Sequence, residues 1–436
     1  MQEREGRSAA EAVVDTLVRQ ELPTLFALPG VQNDDLFDAL HGARESIRII
    51  HPRHEQGAGY MALGAAMATG RPSGCCVVPG PGVLNAGAAL STAWAVNAPV
   101  LCLTGQLPSN AIGKGYGLLH EIADQSGVLR GLTKWSARIE RPAQAAALTE
   151  TAFQQLTSGR PRPVALEAPM DVWGQRSAAE DPLPAPPPPP ALDEDAVNRA
   201  AALLAGAACP AILVGSGAME CGAEVRALAE MLQAPVISNR LGRGVMDDRH
   251  PLALHVGLGH LLWPQVDVAL AVGTRMQTPI QVWGDSDRLK VIHIEIDPEE
   301  MARLRRPDIG IEADAGAALR ALLAALPARL GRRADRGAEM DELRGRFARI
   351  AEAVAPQFAW LAAIRAELPE EGIFVDEVTQ LGHVARLGFP VWRKRSFLTP
   401  GFQGTLGWGV ATAVGAQAAE PDRPLVCIAG DGGFMF

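Results

Sequence analysis

Glu55 is the residue in this sequence best placed to move a proton. It stands in Arg53-His54-Glu55-Gln56-Gly57-Ala58-Gly59, after a short apolar run, Ile47 to Ile50, that predicts a buried strand ended by Pro52. Behind it, Ala58 to Thr69 is a small-residue run with Gly64 inside, which predicts a closely packed helix. A carboxylate at such a strand-to-helix junction, among glycines and alanines, is expected to lose water. Desolvation disfavours the charged form and prepares a carboxyl group to share a proton. The plainer alternative is that Glu55 caps the helix or pairs with Arg53, because carboxylates are common near helix N-termini.

Three further stretches carry chemistry-bearing types. Gly430-Asp431-Gly432-Gly433 follows the strand-like run Leu425 to Ala429. It offers a carboxylate for a hard cation and backbone amides for phosphate oxygens, although Gly-Asp-Gly is also an ordinary turn. His120, in His-Glu-Ile-Ala-Asp-Gln, is of a residue type that can shuttle protons to a carbonyl or alkoxide; a partly exposed helix histidine with no role is the alternative. Gly215-Ser216-Gly217 follows the strand-like Ala211 to Val214 and can cradle a phosphate on backbone N–H groups. It lacks the third glycine of a dinucleotide fingerprint.

These stretches fall at the ends of apolar, strand-length runs that alternate with helical patterns. Ala9 to Gln20 and Gln32 to Leu40 read as helices, and Thr24 to Leu28, Cys75 to Val78 and Val100 to Thr104 as strands followed by glycine turns, among them Gly105-Gln106. Such alternation predicts parallel sheets covered on both faces, with ligands at the carboxyl ends of the strands. The 436 residues give a length prior of about three domains. The expected division is a first domain over 1–175, a stiff linker over 176–192 centred on Asp181 to Pro190, and a central domain over 193–330. A joining segment over 331–355, dense in arginine and acidic residues, leads to a third domain over 356–436. Further strands are expected at Pro235 to Ser238, Val268 to Val272, Val291 to Ile296 and Ile373 to Asp376.

The net charge of −9 argues against a nucleic-acid binder and gives no reason to invoke an anionic membrane. Six scattered cysteines without metal-ligand spacing read as small core residues in a reducing compartment. No apolar run reaches the roughly 18 residues of a membrane span, so a cytoplasmic location is expected.

Taken in order, Arg53 to Ala58, Gly80-Pro81-Gly82 with Asn85, and Gly430 to Gly433 resemble thiamine-diphosphate-dependent enzymes. The nearest group is the acetolactate synthase-like and benzaldehyde lyase-like decarboxylases and carboligases, and the resemblance covers essentially the whole chain. It implies an α/β fold of three doubly wound parallel-sheet domains, thiamine diphosphate and Mg2+ as cofactors, and a 2-keto acid or aldehyde as substrate. It also implies a homodimer or homotetramer in which Glu55 and Asp431 of one site come from different subunits. Glu55 would hydrogen-bond the cofactor's pyrimidine ring, beside Pro81 and Asn85, with Gln380 near the diphosphate. Gly404-Thr405-Leu406-Gly407 matches the loop under the cofactor, Gly404 offering its carbonyl and Leu406 acting as the wedge; a core leucine in a glycine-rich turn is the alternative. Asp431 would ligate magnesium, with Gly432 and Gly433 at the diphosphate. His120 and Gln125 would handle protons on the substrate. Acetolactate synthases have Phe-Gln in place of His120-Glu121, and Val31 stands where pyruvate decarboxylases have an acidic residue, so neither simple pyruvate decarboxylation nor a standard acetolactate synthase is expected. The central domain holds FAD in acetolactate synthases and nothing in several relatives, which leaves FAD open. A second magnesium-ligating asparagine lies downstream in the family, past Phe436, so the third domain and its metal site are expected to be incomplete. The rivals to an active enzyme are a truncated or non-catalytic paralogue and a nucleotide-binding module using Gly215 to Gly217.

Overall fold

The computed structural model describes residues 6–178 and 191–436; the proline-rich stretch expected as a linker, Asp181 to Pro190, lies outside the described residues. The described strands are β1 (Arg7–Ser8), β2 (Thr24–Ala27), β3 (Arg48–Ile50), β4 (Ser73–Val77), β5 (Val100–Gln106), β6 (Trp135–Arg138), β7 (Val164–Pro169) and β8 (Arg176–Ser177). They are followed by β9 (Pro210–Val214), β10 (Val236–Ser238), β11 (Ala253–His255), β12 (Val268–Val272), β13 (Lys290–Glu295) and β14 (Ile309–Glu312). The last are β15 (Ile373–Val375), β16 (Phe397–Leu398) and β17 (Leu425–Cys427).

Two six-stranded sheets, in the orders β3-β2-β4-β5-β7-β6 and β11-β10-β9-β12-β13-β14, and one three-stranded sheet, β16-β15-β17, hold all of these except β1 and β8. Every pairing inside the three sheets is parallel. The reason is visible in the strands themselves. Val100–Gln106 and Val268–Val272 are buried at every position, as strands covered on both faces must be. The fold is therefore α/β, as expected. Arg176–Ser177 pair antiparallel with Arg7–Ser8, so the first two residues assigned to the linker are tied to the start of the chain.

By contacts the chain forms two compact units. The first gathers the described residues of Met1–Pro187 with Pro400–Asp422 and Asp431–Phe436; the second gathers those of Pro188–Thr399 with Arg423–Gly430. In the first unit, helix Glu55–Thr69 packs on helix Trp408–Ala419 at backbone distance. A Cβ added to Gly64 would lie 1.9 Å from the Thr412 carbonyl oxygen, and one on Gly415 would lie 1.9 Å from that of Met61. Only glycine permits this crossing. In the second unit, the helix Gly337–Ala351, expected as a solvated joiner, buries Met340 and Leu343 in the core of the middle sheet. Its charged residues cover the outside of an amphipathic helix. The third domain, expected to begin near Pro356, has that residue inside helix Ala355–Glu367.

The six cysteines are free, and four of them are buried. Among the described residues no helix is long and apolar enough to cross a membrane.

Candidate active site

Glu55 is the first residue of its helix, three positions earlier than the small-residue run alone predicts. The cap is His54, whose Nδ1 accepts the Gln56 N–H at 3.2 Å, so Glu55 is not the capping group. Nor is Glu55 enclosed: it is half-buried, because the helix start opens outward while Ala58 onward turns into the core. The expected loss of water is therefore only partial. Its partner is Asn85, which donates from Nδ2 to Oε2 at 3.0 Å. Among the described residues the other carboxylate oxygen has no hydrogen-bond partner.

Asn85 reaches Glu55 from helix Pro81–Val96, which starts with proline at its first position, where the missing N–H costs nothing. Gly82 faces Glu55 on the same turn; a Cβ there would meet Glu55 Cγ at 3.6 Å and Val78 Cγ2 at 2.7 Å. Pro81 and Asn85 are exposed beside the carboxylate. Gly80 has φ +58, and a Cβ on it would lie 2.1 Å from the carbonyl oxygen of His120. That turn thus accepts glycine alone.

His120 lies in a turn, with φ +70, and not on a helix. Its Nδ1 is 3.1 Å from Gln32 Oε1, while Gln32 Nε2 donates to the Leu119 carbonyl at 3.2 Å. The ring is half-buried and its Nε2 has no partner among the described residues. Gln125, expected beside it as a proton handler, is placed differently. Its side chain is 2% exposed, and both ends of the amide are taken. Oε1 accepts the Gly80 N–H at 2.8 Å, and Nε2 donates to the Gly105 carbonyl at 3.0 Å and to Glu167 Oε2 at 2.7 Å. Gln125 therefore braces the Gly80 turn and does not face a substrate. Gly105-Gln106, expected as a turn, is the buried end of β5, which runs two residues longer than its apolar core.

The loop 404–407 belongs to the same unit. Its glycines take φ +56 and +74, and Thr405 Oγ1 accepts from Tyr60 Oη at 2.9 Å and lies 3.1 Å from Thr92 Oγ1. Tyr60 and Thr92 lie on the helices that carry Glu55 and Asn85, so one pair of helices positions all three features. Leu406 is 48% exposed, which removes the core-leucine alternative. A Cβ on Gly404 would meet nothing within 4 Å.

Asp431 opens a short helix, Asp431–Phe434, and is exposed with Gly432, whereas Gly433 is buried. Gly430 donates its N–H to Glu377 Oε2 at 3.2 Å. Among the described residues no group of three or more His, Cys, Asp or Glu is arranged to hold a metal ion. Gln380 is the exposed first residue of helix Gln380–Gly388, capped by Thr379.

The glycines of the middle sheet are occupied with one another. Gly215 donates its N–H to Val272 and Gly217 donates to Gly273, at 3.1 and 3.2 Å. A Cβ on Gly273 would lie 2.4 Å from Gly217 Cα. Gly215 and Gly217 follow β9 and Gly273 follows β12, where the strand order reverses. The stretch weighed as a phosphate cradle makes a backbone contact between two turns.

A half-buried carboxylate with one open oxygen and a histidine with one open nitrogen, in an α/β fold of parallel sheets, are groups suited to an enzyme that moves protons. Comparison with known proteins agrees. Family models of thiamine pyrophosphate enzymes match three segments: the N-terminal TPP binding domain over 7–128, the central domain over 197–322 and the C-terminal TPP binding domain over 377–436. A probable 2-ketoarginine decarboxylase of Pseudomonas aeruginosa is 34% identical over all of this chain and 79% of its own length. The large subunit of acetolactate synthase isozyme 1 of Escherichia coli is 30% identical over 99% of this chain and 78% of its own. A probable acetolactate synthase large subunit of Methanocaldococcus jannaschii is 33% identical over 98% and 76%. The chain belongs to the thiamine-diphosphate-dependent enzymes of the acetolactate synthase-like group, whose chemistry is decarboxylation and carboligation.

Proposed function

We propose that this chain binds thiamine diphosphate with magnesium and uses it on a 2-keto acid, with Glu55 as the residue that governs the cofactor's pyrimidine ring. The single observation that supports this best is the Glu55 carboxylate, held at Oε2 by Asn85 and free at the other oxygen. When bound, the cofactor supplies a centre that stabilises a carbanion next to a former carbonyl. The rest is the work of side chains. Glu55 holds a proton at its free oxygen, and Asn85 keeps that oxygen turned outward. His120, fixed at Nδ1 by Gln32, offers Nε2 as the proton-transfer atom toward the substrate. Leu406 and the Gly404 carbonyl would shape the cofactor's conformation, and Pro81 would border the pyrimidine. Asp431 would ligate magnesium, Gly432 and Gly433 would hold the diphosphate, and Gln380 would lie near it.

The residues fit the group at the pyrimidine end. An exposed leucine between two left-handed glycines, held on the helices of Glu55 and Asn85, suits a bent ligand better than a core. We further propose a homodimer or homotetramer in the cytoplasm; free cysteines throughout suit a reducing compartment. FAD in the central domain would give the purified protein a yellow colour.

The test is calorimetric titration of thiamine diphosphate with magnesium into the wild-type chain and Glu55→Gln, followed by turnover assays. 2-Ketoarginine heads the substrate panel, and formation of acetolactate is assayed beside it, because the relatives' names point to that substrate and that product. Both proteins should bind the cofactor, while turnover in Glu55→Gln should fall by at least about a hundredfold. A wild-type chain that binds no thiamine diphosphate would overturn the proposal.

A further inference from the structure

Glu167 is the one acidic residue of β7, Val-Ala-Leu-Glu-Ala-Pro, and every residue of that strand is buried. It is 1% exposed, and four side chains converge on its carboxylate. Oε1 accepts from Arg138 Nε at 2.8 Å and from the Ser126 hydroxyl; Oε2 accepts from Gln125 Nε2 at 2.7 Å and Gln106 Nε2 at 3.3 Å. Arg138 also donates from Nη2 to Ser126 Oγ at 2.6 Å. A buried carboxylate this fully bonded costs a great deal to disturb, and its position is correspondingly fixed.

We propose that Glu167 is a positioning residue for the active site, acting through Gln125 on the Gly80–Pro81 turn. The geometry runs in one direction. Arg138 and Glu167 are register partners on adjacent strands, so the ion pair is set by the sheet itself. An ionised carboxylate only accepts, so Gln125 must turn its Nε2 toward Glu167. Its Oε1 then has one place to go, the Gly80 N–H at 2.8 Å. Gly80 is held from the other side by the His120 backbone, and Pro81 begins the helix that delivers Asn85 to Glu55. The charge in β7 thus fixes the amide orientation of Gln125, and that orientation fixes the turn between His120 and Glu55. This rests on the proposed function for its consequence, but not for its geometry.

Gln125→Met, Gln125→Glu, Glu167→Gln and the double variant Gln125→Glu/Glu167→Gln form the test, each in the full chain. Hydrogen exchange at the Gly80 amide is read without cofactor, and the Kd for thiamine diphosphate with magnesium is read alongside the thermal midpoint. Gln125→Met removes the acceptor, so Gly80 exchange should speed up by about tenfold or more, and cofactor affinity should fall by about tenfold. Gln125→Glu alone sets two carboxylates together. Adding Glu167→Gln gives that new carboxylate a donor again, so the double variant should bind thiamine diphosphate at least about threefold tighter than Gln125→Glu. Unchanged Gly80 exchange in Gln125→Met would overturn the proposal, and so would a double variant whose losses simply add. The exchange readout needs no cofactor. A wild-type chain that failed to bind thiamine diphosphate would remove the proposed function and leave this test standing.

Discussion

The first and middle sheets both end in glycine turns at the carboxyl edge, yet the two edges are used in opposite ways. In the first, Gly80 and Gly82 bring a helix start close enough for Asn85 to reach Glu55, and leave one oxygen of that carboxylate free. In the middle sheet, the N–H groups of Gly215, Gly217 and Gly273 are taken by the carbonyls of Val272, Gly273 and Ile294, and Gly217 packs on Gly273. A glycine turn after a strand makes a site only when its polar groups remain open. The same pattern otherwise packs backbone on backbone.

The largest expected effect that separates the two edges is on stability. Gly273 has φ +53, and a Cβ there would strike Gly217, so Gly273→Ala should destabilise the fold by about 3 kcal/mol. Denaturant unfolding measures it. Turnover per folded molecule should stay within about twofold of wild type, since Gly217 and Gly273 belong to the second unit and Glu55 to the first (the hundredfold loss in Glu55→Gln is the converse). A nucleotide that protected the wild-type middle sheet against unfolding would erase the contrast.

His255 sharpens the comparison. It ends β11 on the same carboxyl edge, and its Nδ1 accepts the Leu258 N–H at 3.4 Å, capping its own helix. Burial, with the nearby positive charges of Arg243 and Arg344, pushes the imidazole down to about 3. A depressed histidine stabilises the fold above its unfolded value near 6.5, and that contribution is lost as pH falls from there toward 3. Between pH 7 and 5 this loss amounts to about 1–2 kcal/mol. His255→Asn keeps a capping side chain without the titration, so the variant's thermal midpoint should fall less over that interval. Parallel profiles for the two proteins would contradict the assignment.

The smallest effect belongs to the first edge. Asn85→Leu removes the hydrogen bond to Glu55 without opening a cavity, and turnover should fall by about fivefold to tenfold at unchanged stability. If it lowers the unfolding midpoint and spares turnover, Asn85 belongs with the self-satisfied glycines of the middle sheet.

Much of this was legible in the residues. The strand over Val268 to Val272 is found as expected, because a continuous apolar run bounded by turns has few other uses. The Glu55 junction was legible for the same reason, and Gly64 inside its helix announced a close approach. What sequence cannot carry is how polar groups find partners across space. Gln125 looks like a substrate contact in its local motif, but its partners are Gly80, 45 positions away, and Glu167, 42 away. Nothing in the pattern of β7 marks Glu167 except the oddity of a lone charge in a buried strand. That oddity is the signal through which it could have been found. The middle glycines were ambiguous for the reverse reason: the Gly-Ser-Gly spacing is local, while Gly273, on which Gly217 packs, lies far along the chain.

The crossing at Gly64 and Gly415 carries a consequence for how sharply the loop 404–407 can be aimed. Two main chains in contact have no rotamers to freeze, so the contact adds no side-chain ordering penalty on folding. It also has no alternative packing to hop into. The helix that follows Leu406 is therefore registered against the helix that begins with Glu55 by covalent geometry, as a vernier is read against its scale. A substitution at Leu406 changes one side chain, but neither glycine can accept a side chain without moving the scale.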